Sequence, residues 1–249
     1  MTEHIEIGRD GGVQTIRMNR PDKKNALTRA MYAAMAAALT GGDDDPDIRC
    51  HLLMGVPGAF TSGNDIADFM AIAMGGEGGR EVGDFLLALA TAKKPVLSAV
   101  DGIAVGVGAT IHFHCDLTWA TPRTNFHTSF VDLGLVPEAG SSLLAPRLMG
   151  RQGAFAMLGL AEPLPAEKAL AMGFIHTVVS EDELEAAALE GARRVAAKPP
   201  KALRIARDLM LGDRAELVER IRVESDHFRQ RLRSEEAKAA FTAFMSRKK

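Results

Sequence analysis

Three short stretches hold the residues that chemistry would need. Val100 to Thr110 reads VDGIAVGVGAT, and Ala59 to Ile66 reads AFTSGNDI. Each follows a short apolar run and places glycines where the backbone must turn tightly or lie against a ligand. A helix opening near Val107 would present unpaired N–H groups and the positive end of its dipole to an anion. One glycine cluster alone serves close packing just as well. Two glycine-bearing strand ends, however, could set two backbone N–H groups around a single oxygen, which is the arrangement of an oxyanion hole. The third stretch is Pro137-Glu138-Ala139-Gly140-Ser141-Ser142. A glutamate at the start of a helix complements the dipole, and a glutamate near an oxyanion hole can move a proton. Position alone leaves both roles open for Glu138.

The elements that must position these stretches follow from periodicity and punctuation. Val96 to Val100 is short, apolar and β-branched, as a covered strand requires, and Ile48 to Met54 has the same character. Ile5, Ile7, Val13, Ile16 and Met18 predict an opening hairpin that turns at Asp10-Gly11-Gly12. After a polar loop from Asn19 to Asn25, Thr28 caps a helix whose Met31, Ala34, Met35, Ala38 and Leu39 share a face, with Gly41-Gly42 as its stop. The glycine-laden run from Ala73 to Gly83 predicts a mobile linker between helices. Leu117 to Ala120 resumes a strand, and a helix is expected over Ala139 to Met149 with Glu138 in its first turn. Further amphipathic helices are expected through Leu184, Ala188 and Val195, ending at Pro199-Pro200, and through Leu203 to Met210, ending at Gly212. Two more follow, one long through Leu217, Ile221, Phe228 and Leu232, and a last one marked by Phe241 and Phe244. Their apolar faces need partners in the same subunit or a neighbour.

Composition narrows the class. At 249 residues the chain can bury a sizeable core, and 47% hydrophobic with 25% charged residues is the balance of a globular protein. A formal net charge of −2 gives no general pull towards nucleic acid or an anionic membrane surface. The two cysteines, Cys50 and Cys115, predict reduced thiols rather than a disulfide framework. The first residues are charged and no apolar run is long enough to span a bilayer, so the cytoplasm is the expected location. Two apparent metal sites dissolve on inspection. Asp43-Asp44-Asp45-Pro46-Asp47 lacks the alternating ligand spacing of a calcium loop and is expected to be a solvated turn. On a helix, His112 and His114 diverge, so His112-Phe113-His114-Cys115-Asp116 is expected to be packing. No metal is expected, and no sequence repeat or low-complexity tract appears.

The segments AFTSGNDIADF and KPVLSAVDGIAVGVGATIHFHCDLTWA resemble the two signature blocks of the enoyl-CoA hydratase/isomerase (crotonase) family. The likeness continues through FHTSFVDLGLVPEAGSSLLAPRLMG and EKALAMGFIHTVV to SEEAKAAFTAFMSRKK, so it spans nearly the whole chain in order. The resemblance implies an α/β fold: a crotonase-like spiral of ββα units over residues 1–195, then a C-terminal α-helical trimerisation region over 196–249. It implies an acyl-CoA substrate, no cofactor beyond the coenzyme A thioester itself, and a homotrimer or homohexamer. The oxyanion donors would be the backbone amides of Asn64 and Val107. Lys23, Lys24, Ala26 and Leu27 match the loop near the adenine and phosphates; Ser62, Asp65 and Ile66 flank the pantetheine. Arg247 and Lys248 could reach a neighbour's CoA phosphates, or could be solvated charge that compensates a helix dipole.

The resemblance also has a gap. Hydratases of the family hold a water between two glutamates, and at those places this chain has Thr110 and Phe130. Glu138 instead matches the single glutamate of the Δ3,Δ2-enoyl-CoA isomerase branch, whose segment resembles PEGCSS. The implied activity is isomerisation of 3-enoyl-CoA to 2-enoyl-CoA, in fatty-acid degradation, with Glu138 as acid and base and Phe130 keeping the pocket dry. The alternatives are an enoyl-CoA hydratase or another crotonase-type lyase, and a non-catalytic acyl-CoA-binding member.

Overall fold

The computed structural model describes residues 2–65, 68 and 80–246. β1 (Ile5–Asp10) and β2 (Val13–Met18) form an antiparallel hairpin about Gly11-Gly12. The chain then winds through α1 (Arg29–Asp44), β3 (Cys50–Met54), β4 (Ala59–Thr61), α2 (Glu81–Thr91), β5 (Val96–Val100), β6 (Ile103–Val105), α3 (Val107–Thr110), β7 (Leu117–Ala120) and β8 (Asn125–His127). After these come α4 (Ser141–Ala154), β9 (Leu164–Pro165), α5 (Ala166–Ala171), β10 (Thr177–Val178) and α6 (Leu184–Ala196). The helices α7 (Pro200–Leu211), α8 (Ala215–Leu232) and α9 (Glu235–Ser246) follow.

Two sheets divide the strands, one in the order β1-β2-β3-β5-β7-β10 and the other in the order β4-β6-β8-β9. Three times in succession the chain leaves the larger sheet and enters the smaller: β3 to β4, β5 to β6, β7 to β8. Within each sheet these strands lie parallel to one another, and β8 is antiparallel to β9 beyond them. The result is a spiral of strand pairs, each turn closed by a helix or an irregular connection.

The central strands β3 and β5 of the larger sheet are covered on both faces, which explains why they are buried along their whole length. Cys50, Leu52, Met54, Leu97, Ala99 and Trp119 pack on one face against Leu184, Ala188, Ala192 and Ala196 of α6. The alternate residues Leu53, Val96 and Val100 join Met31, Met35, Leu39, Phe60, Phe85 and Phe126 in the main core. The corner between β5 and β6 is only Asp101-Gly102. Asp101 pins it by accepting from the Gly58 amide at 2.6 Å, the Thr121 hydroxyl at 2.8 Å and the Arg123 guanidinium at 2.7 Å. Burial opposes the Asp101 charge, but these donors hold its carboxyl below the usual range. This aspartate of the VDGIAVGVGAT stretch is therefore a structural latch between sheets.

Several expectations need correction. Gly41-Gly42 does not end α1, which continues to Asp44. The missing Cβ at Gly42 is what lets the helix pass: a methyl there would stand 2.4 Å from Gln14 Oε1 and 2.6 Å from His51 Cε1. Asp43 and Asp44 are consequently helical rather than in a turn, and Asp43 accepts from the Lys93 and Lys94 amides. The expected linker runs mostly outside the described residues, but its last part, Glu81 to Gly83, already belongs to α2. α4 starts at Ser141, later than expected, because Ala139 and Gly140 are left-handed with φ of 61° and 70°. Glu138 thus precedes the helix instead of sitting in its first turn. His112 and His114 do diverge: His112 Nδ1 meets the Ser98 hydroxyl at 3.0 Å, and His114 Nε2 donates to the Ala139 carbonyl at 2.7 Å. Among the described residues, no helix is long and apolar enough to cross a membrane.

Candidate active site

The two glycine-bearing stretches meet because β4 and β6 are adjacent parallel strands, with Thr61 opposite Ala104. Both run on past their C-terminal ends in the same direction, where open α/β sheets place ligands. Beyond β4, Gly63 lies so close to β6 that a Cβ would stand 2.9 Å from the Val105 carbonyl oxygen. Beyond β6, Gly106 takes φ 58° and ψ −119°, and α3 opens immediately after it at Val107. Gly108 then passes Thr61, where a Cβ would be 2.4 Å from the threonine methyl. Asn64 and Val107 therefore follow neighbouring strand ends that touch.

The amides of both residues stand outside the ladder. Asn64 forms a parallel bridge with Leu27 in which the Leu27 amide donates to Gly63 and the Asp65 amide donates to Leu27, leaving the Asn64 N–H uninvolved. Val107 is the first residue of α3, so its N–H has no intrahelical acceptor. The Asn64 side chain is fixed from α1: the hydroxyl of Tyr32, the chain's single tyrosine, donates to its Oδ1 at 2.6 Å.

Glu138 comes from the loop before α4. It is 5% exposed and shares with Asn64 a cavity of about 390 Å³, which Leu86 and Leu87 of α2 and Phe228 and Leu232 of α8 also line. Thr110, at the end of α3, donates its hydroxyl to Glu138 Oε1 at 2.6 Å. Burial pushes the Glu138 carboxyl up, the Thr110 hydroxyl pulls it down and the Glu224 charge pushes it up again, for a pKa of about 7. Near neutrality such a group can both take and give a proton. Phe130 is buried beside this turn, packed with Leu135, Leu232, Ala237 and Phe241, and its Cε1 lies 3.8 Å from where a Gly106 Cβ would be.

The remaining sequence-predicted residues divide in two. Lys24, Ala26, Leu27, Ser62 and Asp65 come together, because loop 20–27 is stitched to segment 59–65. The Ser62 amide donates to the Lys24 carbonyl, Arg20 bridges the Ala26 carbonyl and the Asp65 carboxylate, and Asn25 donates to the carbonyls of Ala59 and Phe60. Leu27 is a core side chain and offers only its backbone here. Ile66, Arg247 and Lys248 lie outside the described residues. Three residues escaped the sequence reading in this role: Tyr32, Glu224, and Thr110 as a donor rather than a missing acid. A lone tyrosine on an apolar helix face was the one available signal.

Thr110→Val tests the Thr110–Glu138 bond directly. Removing the hydroxyl leaves burial opposed by nothing local, so the Glu138 pKa should rise above its value of about 7. A carboxyl 13C titration by NMR should show the midpoint move to higher pH; an unmoved midpoint would exclude the bond.

A buried carboxyl near neutrality lies beside two adjacent strand ends whose next amides, among the described residues, have no backbone acceptor, a combination that chemistry could use to stabilise an oxyanion while a proton moves. Comparison with known proteins gives the class a family. The model of the family described as enoyl-CoA hydratase/isomerase matches residues 8–249. The 1,2-epoxyphenylacetyl-CoA isomerase of Escherichia coli (strain K12) is 31% identical over 255 residues, covering 100% of this chain and 97% of its own length. Enoyl-CoA delta isomerase 2 of Rattus norvegicus is 32% identical over 250 residues, covering 98% of this chain; the chain spans 64% of that protein's length. Among solved structures, the Pseudomonas aeruginosa protein OdaA superposes with a TM-score of 0.93 at 41% identity, covering 98% of this chain and 99% of OdaA. The chain belongs to the enoyl-CoA hydratase/isomerase family and has its crotonase fold. It is accordingly an enzyme of that family, whose named members include isomerases and hydratases.

Proposed function

We propose that the protein isomerises 3-enoyl-CoA to 2-enoyl-CoA, with Glu138 as the single acid/base and the amides of Asn64 and Val107 as the oxyanion donors. The observation that carries this reading is a buried carboxyl of pKa about 7, hydrogen-bonded to Thr110, in one cavity with Asn64. Ionised Glu138 takes a proton from C2, and the electrons move onto the thioester oxygen as a dienolate. Two N–H donors lower the energy of that oxyanion, each by about 3 kcal/mol. Neutral Glu138 then returns the proton at C4, the double bond shifts from C3–C4 to C2–C3, and the carboxylate is restored. Thr110 and Phe130 supply no second carboxylate to activate water, which favours this reading over hydration. The retained carboxyl Glu138 favours it over a non-catalytic acyl-CoA binder.

Lys24, Ala26, Ser62 and Asp65, with the Leu27 backbone, are proposed to border the CoA moiety; Ile66, Arg247 and Lys248 remain proposals for the same ligand. The reaction as written uses no cofactor beyond the substrate's own coenzyme A. A trimeric or hexameric assembly is proposed, supported by the apolar residues that α7 leaves outside: Ile205 61%, Leu209 79% and Met210 78% exposed. The spiral core over 1–195, the helical region over 196–249 and a cytoplasmic location belong to the same proposal. Steady-state assays with purified protein should rank 3-hexenoyl-CoA isomerisation well ahead of crotonyl-CoA hydration. The opposite ranking would hand the protein to the hydratases.

A further inference from the structure

The turn that carries Glu138 has a backbone shape that local sequence does not favour. Ala139 and Gly140 are successive left-handed residues, at φ 61° and 70°, and the first of them carries a Cβ. A turn of this kind persists only where its surroundings determine it. Here it is gripped from two sides. From the core, His114 Nε2 donates to the Ala139 carbonyl at 2.7 Å. Burial holds the His114 pKa down at about 4, so the imidazole stays neutral and keeps that donor through the working range.

From outside, α8 lies directly on the turn. A Cβ on Gly140 would stand 2.4 Å from Leu217 Cδ1 and 3.3 Å from Ile221 Cγ1. Glu224 shares that helix face, at the i, i+4, i+7 spacing, and is 5% exposed. Its carboxylate accepts the Gly140 amide at 2.6 Å, the Ser142 amide at 2.9 Å and the Ser142 hydroxyl. Gly140 caps α4, so these amides are among the orphan donors of a helix start, satisfied by a carboxylate 84 residues away in sequence.

We propose that Glu224 is a positioning residue for Glu138: through Gly140 and Ser142 it locks the left-handed turn against His114 and so fixes the direction in which the Glu138 carboxyl enters the cavity. This rests on the reading of Glu138 as the base. Among the described residues, the charged and titratable groups that act on Glu138 are Glu224 and Tyr32, while Arg80, Asp84, Arg229 and Arg233 line its cavity. Those facing Glu224 are Arg220, whose Nη1 donates to the Ser142 hydroxyl at 3.2 Å, together with Glu138 and, along its cavity, Glu216, Glu219 and His227. Removing the Glu224 charge removes an upward push on the Glu138 pKa and lets the turn relax.

The test compares Glu224→Gln, Glu138→Gln and the parent, assayed on whichever of 3-hexenoyl-CoA and crotonyl-CoA the parent turns over, with folding followed by circular dichroism. A glutamine keeps the shape but presents an NH2 where an amide must be accepted. Its kcat should fall about 10- to 100-fold with KM little changed, since a displacement of about 1 Å at a reacting group costs that much. The acid limb of kcat/KM should also move to lower pH. His114→Gln, which keeps an N–H donor, should retain much more activity than His114→Leu. A parent-like kcat, or a fall in kcat that only tracks lost folded protein while the acid limb stays in place, overturns the proposal. If Glu224→Gln does not fold, Ser142→Ala, lacking one of the three donors, should lower kcat about threefold or more at constant KM, in keeping with the sensitivity to geometry; an unchanged kcat then overturns it. Full turnover by Glu138→Gln would instead remove the base reading, whatever Glu224→Gln does.

Discussion

Glu138→Gln should lower kcat for 3-hexenoyl-CoA isomerisation by about 10³-fold or more, because in the proposed mechanism one side chain serves as both base and acid and proton transfer by a placed group is commonly worth 10²- to 10⁴-fold. Glutamine fills the same volume and can still accept from the Thr110 hydroxyl, so the cavity keeps its shape while losing its proton carrier. Affinity for the CoA product, measured by calorimetry, should stay within a small factor of the parent's. The pH dependence follows from the same group. In the parent, kcat/KM should fall as pH drops through about 7, because the carboxylate is lost; the residual activity of the variant should show no such limb. Turnover at the parent's rate would mean that another group moves the proton.

Gly106→Ala should lower kcat by about 10²- to 10³-fold, the usual cost of a lost oxyanion donor. The obstacle at this position is torsional. At φ 58° and ψ −119° an L-residue is strained, whereas among the described residues the new methyl would meet only Phe130 Cε1 at an ordinary 3.8 Å. The backbone should relax towards negative φ and swing the next amide, that of Val107, off its line. Because the methyl does not invade the core, circular dichroism at assay temperature should stay parent-like and the melting temperature should fall by only a few °C, the cost of the residual strain, while kcat falls far more. An unchanged kcat would show that the Val107 amide is not a donor in the reaction.

What sequence made legible here was local, and what it hid was contact at a distance. Val96–Val100 folds over the bounds that its β-branched, apolar character predicts, Leu117–Ala120 is the strand expected there, and Thr28 caps α1 by accepting from the Met31 amide at 3.3 Å. The two glycine stretches were recognisable because each joins an apolar run to a turn. That they touch depends on the parallel pairing of β4 with β6, across 40 or so residues of chain that no short-range pattern spans. Gly41-Gly42 misled because a helix breaker in isolation becomes a helix-packing site when Gln14 and His51 press against it. Thr110 looked like an absence, a position without the expected acid, and only its 2.6 Å bond to Glu138 gives it a part. Glu224 had no local mark at all; it is one of many charged residues on an amphipathic helix, and its burial against Gly140 is a fact of tertiary packing.

The turn that carries Glu138 is contacted by a helix that lies about 80 residues further along the chain. The spiral of strand pairs through β8 can stack as it emerges, since each turn lies on the one before. The bend at Ala139-Gly140 has no such early support beyond His114, and waits for Leu217, Ile221 and Glu224 to arrive and close over it. The strand ends that carry the two candidate donor amides are thus complete by residue 107, whereas the turn that carries Glu138 is closed by contacts from residues 217–224, so on the proposed mechanism a chain clipped before α8 should keep the former and lose activity.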